Sequence, residues 1–250
     1  IHQINNIEVI EEGKTTTKSS IMYDIVRKFS SGKKINLSLS DSNKLELESE
    51  KSIFNLNCID PSEFPLTNEN FNENVFILNS KKLLKLLNKC KFSVSNDETR
   101  HYLSGIYLHQ TDVDDKSYLT AVATDSHRMS VSKIRLEEKI NFDPIILPKK
   151  TIFQLCSLLD NYDGDVKISN LKSKIKFDLN NSTLISKLID GKFPNYIQVI
   201  PKNNKKKLEL DLKLFLGSVD RVASVSLDKK DGVKFNLTKD NLGLSVNNTN

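Results

Sequence analysis

The chain has 250 residues, of which 38% are hydrophobic and 28% charged, and it carries a formal net charge of +5. This composition fits one large domain or two ordinary domains with packed cores, and it excludes a chain that is disordered throughout. The sequence has no apolar run near the roughly 20 residues of a membrane-spanning helix, and its N-terminus lacks the layout of a secretory signal. We therefore expect a soluble, cytoplasmic protein.

The three cysteines, Cys58, Cys90 and Cys156, lie far apart in apolar surroundings. Their odd number and wide spacing predict reduced core thiols rather than disulfides or metal ligands. Lysine greatly outnumbers arginine, and the modest net charge alone is a weak indication of nucleic-acid binding. The position of the lysines is therefore more informative than their number.

An internal repeat with an offset of about 130 residues, roughly one domain length, organises the chain. A short amphipathic helix at 20–28, followed by alternating strands and a Phe-Pro ending, returns as a helix at 150–159 with the same successors. A second kind of unit has its helix at 83–87 and returns from 214–216. Each unit is predicted to be one helix plus about three strands with one buried face.

Taken in order, these units predict half a domain at 1–68, a whole domain at 74–201 and another half at 205–250, with linkers at 66–70 and 201–207. The predicted fold class is α+β, with pseudo-symmetric repeats of a helix and antiparallel strands. The chain begins on Ile rather than Met and stops just after a strand-like segment, so we expect both ends to be cut.

The predicted helices share a basic face. On a helical wheel, the lysines of the 80–90 helix fall within an arc of about 100°, opposite the leucines. A single such face is most often merely solvated, but repetition at equivalent positions favours a surface for phosphates, read without sequence preference. The lysines expected to face DNA are Lys81, Lys82, Lys85, Lys89, Lys149 and Lys150.

A densely polar segment, Ala-Thr-Asp-Ser-His-Arg-Met at 123–129, is predicted to be a tight connection between two strands. Asp125, Ser126 and His127 together suggest a nucleophile triad or a metal site. Their adjacency argues against both, because triad members come from separate elements and a metal site needs more ligands. We expect no enzyme active site and no cofactor.

A second segment, Phe-Pro-Asn-Tyr-Ile-Gln-Val-Ile-Pro at 193–201, is bracketed by prolines, which favour extended backbone. Two interpretations stay open at this point. The segment is either an ordinary linker packed on its own domain or an apolar groove wall that receives the anchor side chains of a partner.

The two segments resemble the signatures of bacterial replicative sliding clamps, the beta subunits of DNA polymerase III. Segment 123–129 is similar to that family's Ala-Thr-Asp-Gly-His-Arg-Leu, and 186–196, ending in Asp-Gly-Lys-Phe-Pro-Asn-Tyr, resembles its second signature. The resemblance implies a homodimeric six-domain ring with helices lining a basic hole and sheets outside. It implies a non-catalytic processivity factor that encircles double-stranded DNA and binds the polymerase, the clamp loader and other proteins through short peptides.

By motif position, the resemblance implies a peptide cleft between the second and third domains, and it makes Lys149 and Lys150 a DNA-facing pair. The cleft residues it implies are Arg100, Leu103, Thr124, Ser126, His127, Arg128, Met129, Pro194, Gln198 and Val199. It also implies a cytoplasmic, nucleoid-associated location.

The chain departs from the family pattern in the cleft. Ser126 replaces a usual glycine, at a cost of about 1 kcal/mol if the position needs positive φ. Ile197 and Gln198 stand where arginines are common, which predicts weaker charge-assisted contacts, and Met129 replaces leucine. Two alternatives remain, a basic DNA-binding scaffold without a ring or peptide docking, and a hydrolase using Asp125 and His127.

Overall fold

The computed structural model describes residues 8–40, 43–64, 71, 75–140, 142–180, 182–226 and 232–246. The chain divides into two compact units, residues 1–193 and 194–250. The predicted linker at 66–70 lies outside the described residues. Within the described ranges, no helix is both long and apolar enough to cross a bilayer.

The N-terminal part of the first unit is one helix and a four-stranded antiparallel sheet of order β1-β4-β3-β2. Its elements are β1 (Thr16–Thr17), α1 (Ser19–Val26), β2 (Asn36–Ser40), β3 (Lys44–Ser49) and β4 (Ser52–Ile59). Leu47 pairs with Leu37 on one side and Phe54 on the other, so strict alternation puts these side chains on one face. Leu47 is fully buried there.

The rest of the first unit contains two copies of a motif in which a strand and a helix precede three antiparallel strands. The first copy has β5 (Val75–Asn79), α2 (Ser80–Asn88), β6 (Gly105–Val113), β7 (Lys116–Thr124) and β8 (Met129–Arg135). The second has β9 (Ile145–Pro148), α3 (Lys149–Asp160), β10 (Asp165–Asn170), β11 (Lys174–Leu179) and β12 (Ser182–Lys187). The predicted repeat of a helix followed by strands, and the α+β class, are confirmed.

The two copies exchange their leading strands. The sheet orders are β8-β7-β6-β9 and β12-β11-β10-β5, so β5 joins the sheet of the second copy and β9 that of the first. Gly105 marks the second junction, because a Cβ at this position would collide with the carbonyl oxygen of Leu147 in β9. The exchange makes each copy depend on the other for a complete sheet.

Helices α2 and α3 pack against each other and against the inner faces of both sheets, where they close one hydrophobic core. Leu86 of α2 and Leu155 of α3 are both fully buried in this core. The helix α2 begins at Asn79, whose side-chain oxygen accepts hydrogen bonds from the N–H groups of Lys81 and Lys82 at 3.1 and 3.3 Å. Such a cap contributes about 1 kcal/mol and fixes where the basic face of α2 starts.

The second unit contains a 3₁₀ turn at Tyr196–Val199, helix α4 (Leu212–Ala223) and the hairpin β13 (Lys234–Leu237) and β14 (Leu242–Ser245). Asp211 caps α4 by accepting a hydrogen bond from the N–H of Leu214 at 2.8 Å. The rings of Phe215 and Phe235 lie 5.9 Å apart and join the helix to the hairpin. The structure groups residues 194–201 with this unit.

Candidate functional site

The polar segment between β7 and β8 is a tight turn held by its own side chains. The hydroxyl of Thr124 donates to the carbonyl of Arg128 at 2.8 Å and accepts from the N–H of Ser126 at 3.1 Å. One carboxylate oxygen of Asp125 accepts from the N–H groups of His127 and Arg128, both at 3.0 Å. These short-range bonds are the Asx and Thr turn chemistry that the sequence predicts.

Asp125 is an acceptor for the turn rather than a catalytic base. Partial burial would raise the pKa of its carboxyl, but the N–H donors of Arg128 and His127 and the guanidinium of Arg128 outweigh it, and the pKa lies below the usual value. The second carboxylate oxygen accepts from Nε of Arg128 at 3.0 Å. Among the described residues, no three His, Cys, Asp or Glu side chains are grouped to hold a metal ion. Both carboxylate oxygens of Asp125 accept hydrogen bonds within the turn itself.

Arg128 also ties the turn to the segment after α2. Its NH2 group donates to the carbonyl oxygen of Phe92 at 2.6 Å, and its guanidinium lies 5.6 Å from the centre of the Phe92 ring. The guanidinium thus lies over an exposed aromatic ring. This contact fixes the turn relative to the helical layer.

Ser126 adopts a left-handed conformation, with φ of +77°. A non-glycine residue in this region carries a strain of about 1 kcal/mol. Its hydroxyl accepts a hydrogen bond from NH1 of Arg100 at 2.6 Å, while Nε of Arg100 donates to Asp97 at 2.8 Å. Position 126 thus has the positive φ for which a serine costs more than a glycine. The serine hydroxyl, which glycine lacks, holds Arg100 in place.

Asp97 is anchored on its own segment. The hydroxyl of Thr99 donates to it at 2.6 Å and the N–H of Thr99 at 2.9 Å. These bonds, with that of Arg100, hold the pKa of the Asp97 carboxyl at about 2. The carboxylate is therefore charged at neutral pH and available to pair with Arg100.

The structure brings most of the predicted cleft residues of the first unit to one surface. Arg100 and Ser126 are bonded directly, and His127 and Arg128 are exposed on the same turn. Leu103, the last residue of the 3₁₀ segment Glu98–Leu103, is only 3% exposed, so its side chain anchors that segment in the protein interior. Thr124 and Met129, at the two ends of the turn, are half-buried. The remaining predicted cleft residues belong to the second unit and are exposed, namely Pro194, Gln198 and Val199.

The Asp-Gly-Lys-Phe part of the second signature, residues 190–193, packs on the Glu98–Leu103 segment and on β6. The carbonyl oxygen of Asp190 lies 3.1 Å from Nε2 of His101, and Gly191, with φ of +151°, passes so close that a Cβ would lie 3.2 Å from Cβ of Tyr102. The ring of Phe193 is buried and stacks on Tyr107, with centroids 4.8 Å apart and planes 2° apart. Residues 190–193 therefore serve to hold the local conformation of the chain.

The stack continues to His109, which the sequence analysis did not single out. The rings of Tyr107 and His109 are 4.6 Å apart, and burial of His109 lowers its pKa despite its hydrogen-bonding contact with the carbonyl of Gln110. The alternation of Tyr107 and His109 on one face of β6 was visible in the sequence, but their partner Phe193 lies more than 80 positions away. Only tertiary structure joins them.

A second candidate surface is the outer face of α2 and α3. Lys81, at the start of α2, forms a 2.7 Å ion pair with Asp163, which follows the end of α3. Lys91, after the end of α2, lies 5.7 Å from the ring of Phe153, near the start of α3. These two contacts at opposite ends show that the helices run antiparallel and that their exposed faces are continuous.

The lysines predicted to face DNA lie on this surface or at its rim. Lys81 and Lys82 pair with Asp163 and Glu137, the second at 3.7 Å, and these exposed pairs are weak. The ammonium of Lys149 donates to the side chain of Asn96. The side chains without an acidic partner in the described part of the chain are Lys85, Lys89 and Lys150, all exposed.

Comparison with known proteins gives the same result for all three parts of the chain. Residues 1–68, 77–195 and 197–250 match the family models for the N-terminal, central and C-terminal domains of the DNA polymerase III beta subunit. The beta sliding clamp of Caulobacter vibrioides is 33% identical over 97% of this chain and 68% of its own length. That of Rickettsia felis is 35% identical over 96% of this chain and 63% of its own length.

Solved structures agree. The sliding clamp of Bartonella birtlesii, bound to griselimycin, superposes with a TM-score of 0.90 at 36% identity, over 97% of this chain and 65% of that one. The Caulobacter crescentus beta sliding clamp gives 0.89 at 33% identity, over 95% and 64%. The chain thus spans about two thirds of the length of its relatives. It belongs to the family of the DNA polymerase III beta subunit, the bacterial beta sliding clamps.

Proposed function

We propose that this chain is part of a sliding clamp that encloses double-stranded DNA in a homodimeric ring and tethers the replicative polymerase, without catalysing any reaction itself. The observation that carries the proposal is the continuous basic face on the antiparallel helices α2 and α3. Lys85, Lys89 and Lys150 on that face can neutralise phosphates of any sequence. The face offers no base-reading motif, which suits a protein that must move along DNA.

The test of DNA binding compares two double charge reversals. Lys85→Glu with Lys89→Glu changes the helical face, whereas Lys133→Glu with Lys167→Glu changes exposed positions on β8 and β10. Both variants have the same net charge. We expect the first pair to weaken duplex binding strongly and to reduce the slope of log K against log salt by about 2, and the second pair to change neither much. Equal losses in both variants would contradict the proposal.

We further propose that the turn at 124–129 and the segment at 194–199 bind short linear peptides of the polymerase catalytic subunit, the clamp loader and other partners. Arg100, held by Asp97 and Ser126, presents its remaining N–H groups on the surface. Val199 is 68% exposed and Met129 is half-buried, so both can receive apolar anchors. Domain boundaries at 1–68, 74–201 and 205–250, and a cytoplasmic, nucleoid-associated location, belong to the same proposal.

Peptide docking is tested by titrating a labelled clamp-binding pentapeptide against Met129→Asp and Val199→Asp. We expect each to weaken binding at least tenfold, because the bound peptide would cover the new carboxylate with an apolar anchor side chain. Val113→Asp is the matched control, since Val113 is a 42% exposed valine at the opposite end of the β6–β7 hairpin. Unchanged affinity in both cleft variants would favour the alternative of a DNA-binding scaffold without peptide docking.

Ring formation is tested by sedimentation. We expect a chain extended at both ends to the length of its relatives to sediment as a dimer. A monomer at micromolar concentration would contradict the ring.

A further inference from the structure

A shallow depression on the basic face contains an exposed aromatic ring. It has a volume of about 570 Å³ and is lined by residues of α3 alone, namely Lys149, Lys150, Phe153, Gln154 and Ser157. Phe153 is 47% exposed, although its neighbour Ile152 is fully buried. The Phe153 ring therefore offers an apolar plane to solvent beside the lysines at the start of α3.

The surroundings of Phe153 are positive. Lys91 lies 5.7 Å from the ring centre, and Lys149 and Lys150 lie on its N-terminal side. The first turn of α3 carries no acidic residue, so the positive end of the helix dipole adds to these charges. Asp160 and Asp163 lie at the other end of the helix. The depression therefore combines cations for phosphate with one apolar plane.

This combination fits unpaired nucleic acid better than a duplex. Duplex DNA presents phosphates but keeps its bases stacked inside, where Phe153 cannot reach them. A single strand offers both groups at once, and base stacking on an aromatic side chain contributes about 1–3 kcal/mol per base without sequence preference.

We propose that the depression at the start of α3 binds single-stranded DNA, with one base stacked on Phe153 and the adjoining phosphates on Lys91, Lys149 and Lys150. The proposal rests on the proposed function only in that it places DNA against the face of α2 and α3. It adds a preference for single-stranded over duplex DNA, because the lysines can bind the phosphates of any DNA whereas Phe153 can stack only on unpaired bases.

The test measures fluorescence anisotropy of the whole chain with a labelled ten-nucleotide oligo-dT, an abasic strand of the same length and a blunt duplex. We expect Phe153→Ala to weaken oligo-dT binding about 5- to 100-fold and to leave the abasic strand and the duplex within twofold. Phe153→Trp should restore oligo-dT binding. Phe64→Ala, at a 54% exposed phenylalanine elsewhere, is the matched control and should have no effect.

Three results would overturn the proposal. These are equal binding of oligo-dT and the abasic strand by the unsubstituted chain, an equal loss for duplex and single strand in Phe153→Ala, and tighter binding of an acidic aromatic peptide than of oligo-dT. Failure of the proposed function would be seen separately, as duplex binding that Lys85→Glu with Lys89→Glu does not weaken.

Discussion

Removal of the Asp125 carboxylate should loosen the turn between β7 and β8 by an amount that can be worked out from its contacts. Asp125→Ala removes two bonds to backbone N–H groups and one to Arg128, all 3.0 Å long. Bonds of this kind contribute about 0.5–1.5 kcal/mol each, and the exposed ion pair at most about 1 kcal/mol. We expect Asp125→Ala to lower the free energy of unfolding by about 1–4 kcal/mol, measured by urea denaturation followed by circular dichroism.

Asp125→Asn is the informative partner of this substitution, because its amide oxygen can still accept the two backbone N–H groups. We expect it to lose less than about 1 kcal/mol at pH 7. The folded pKa of Asp125 lies below its ordinary value of 3.8, so the stabilisation is present above that value and is lost as pH falls through the lowered pKa. The difference between the unsubstituted chain and Asp125→Asn should therefore shrink below about pH 4.

The reasoning would be refuted if Asp125→Ala and Asp125→Asn were equally stable at neutral pH. It would also be refuted if the stability difference between the unsubstituted chain and Asp125→Asn grew as the pH was lowered from 6 to 3.

Three further outcomes are expected. Leu155→Ala should lower the free energy of unfolding by about 2–5 kcal/mol in urea denaturation, because Leu155 is fully buried between α3 and the sheets, and a loss below 1 kcal/mol would contradict that packing. Phe193→Ala should cost about 3–5 kcal/mol by the same measurement, since it removes the buried ring stacked on Tyr107, whereas Phe193→Tyr should cost far less. Burial raises the pKa of the Cys90 thiol to about 11, so Cys58 should react first with a thiol reagent at pH 8, and rapid labelling of Cys90 in the folded chain would be inconsistent with its burial.

The amphipathic helices were predictable because their side-chain pattern is local. In α2, Leu83, Leu86 and Leu87 recur at helical spacing, and the structure buries them while it exposes Lys82, Lys85 and Lys89. The turn at 124–129 was predictable for the same reason, since the side chains of Thr124 and Asp125 form hydrogen bonds with backbone groups two to four residues away. The two signatures also carried the family resemblance.

Other features depend on residues far apart in the chain. The exchange of β5 and β9 between sheets pairs strands about 90 and 40 positions apart, and period-two alternation says nothing about which strand is the neighbour. The bond from Arg100 to Ser126, the stack of Phe193 on Tyr107 and the antiparallel placement of α2 and α3 belong to this class.

The amino-acid sequence by itself determined the repeat, the class of each element, the basic helix faces and the two signature segments, because each depends on side-chain chemistry within a few residues. Tertiary structure alone decided which strands pair, that Leu103 and Phe193 are buried, and that Ser126 holds Arg100. It also placed Lys91 beside Phe153. These arrangements follow from the closing of one core by both copies of the motif, and a local pattern carries no record of that long-range packing.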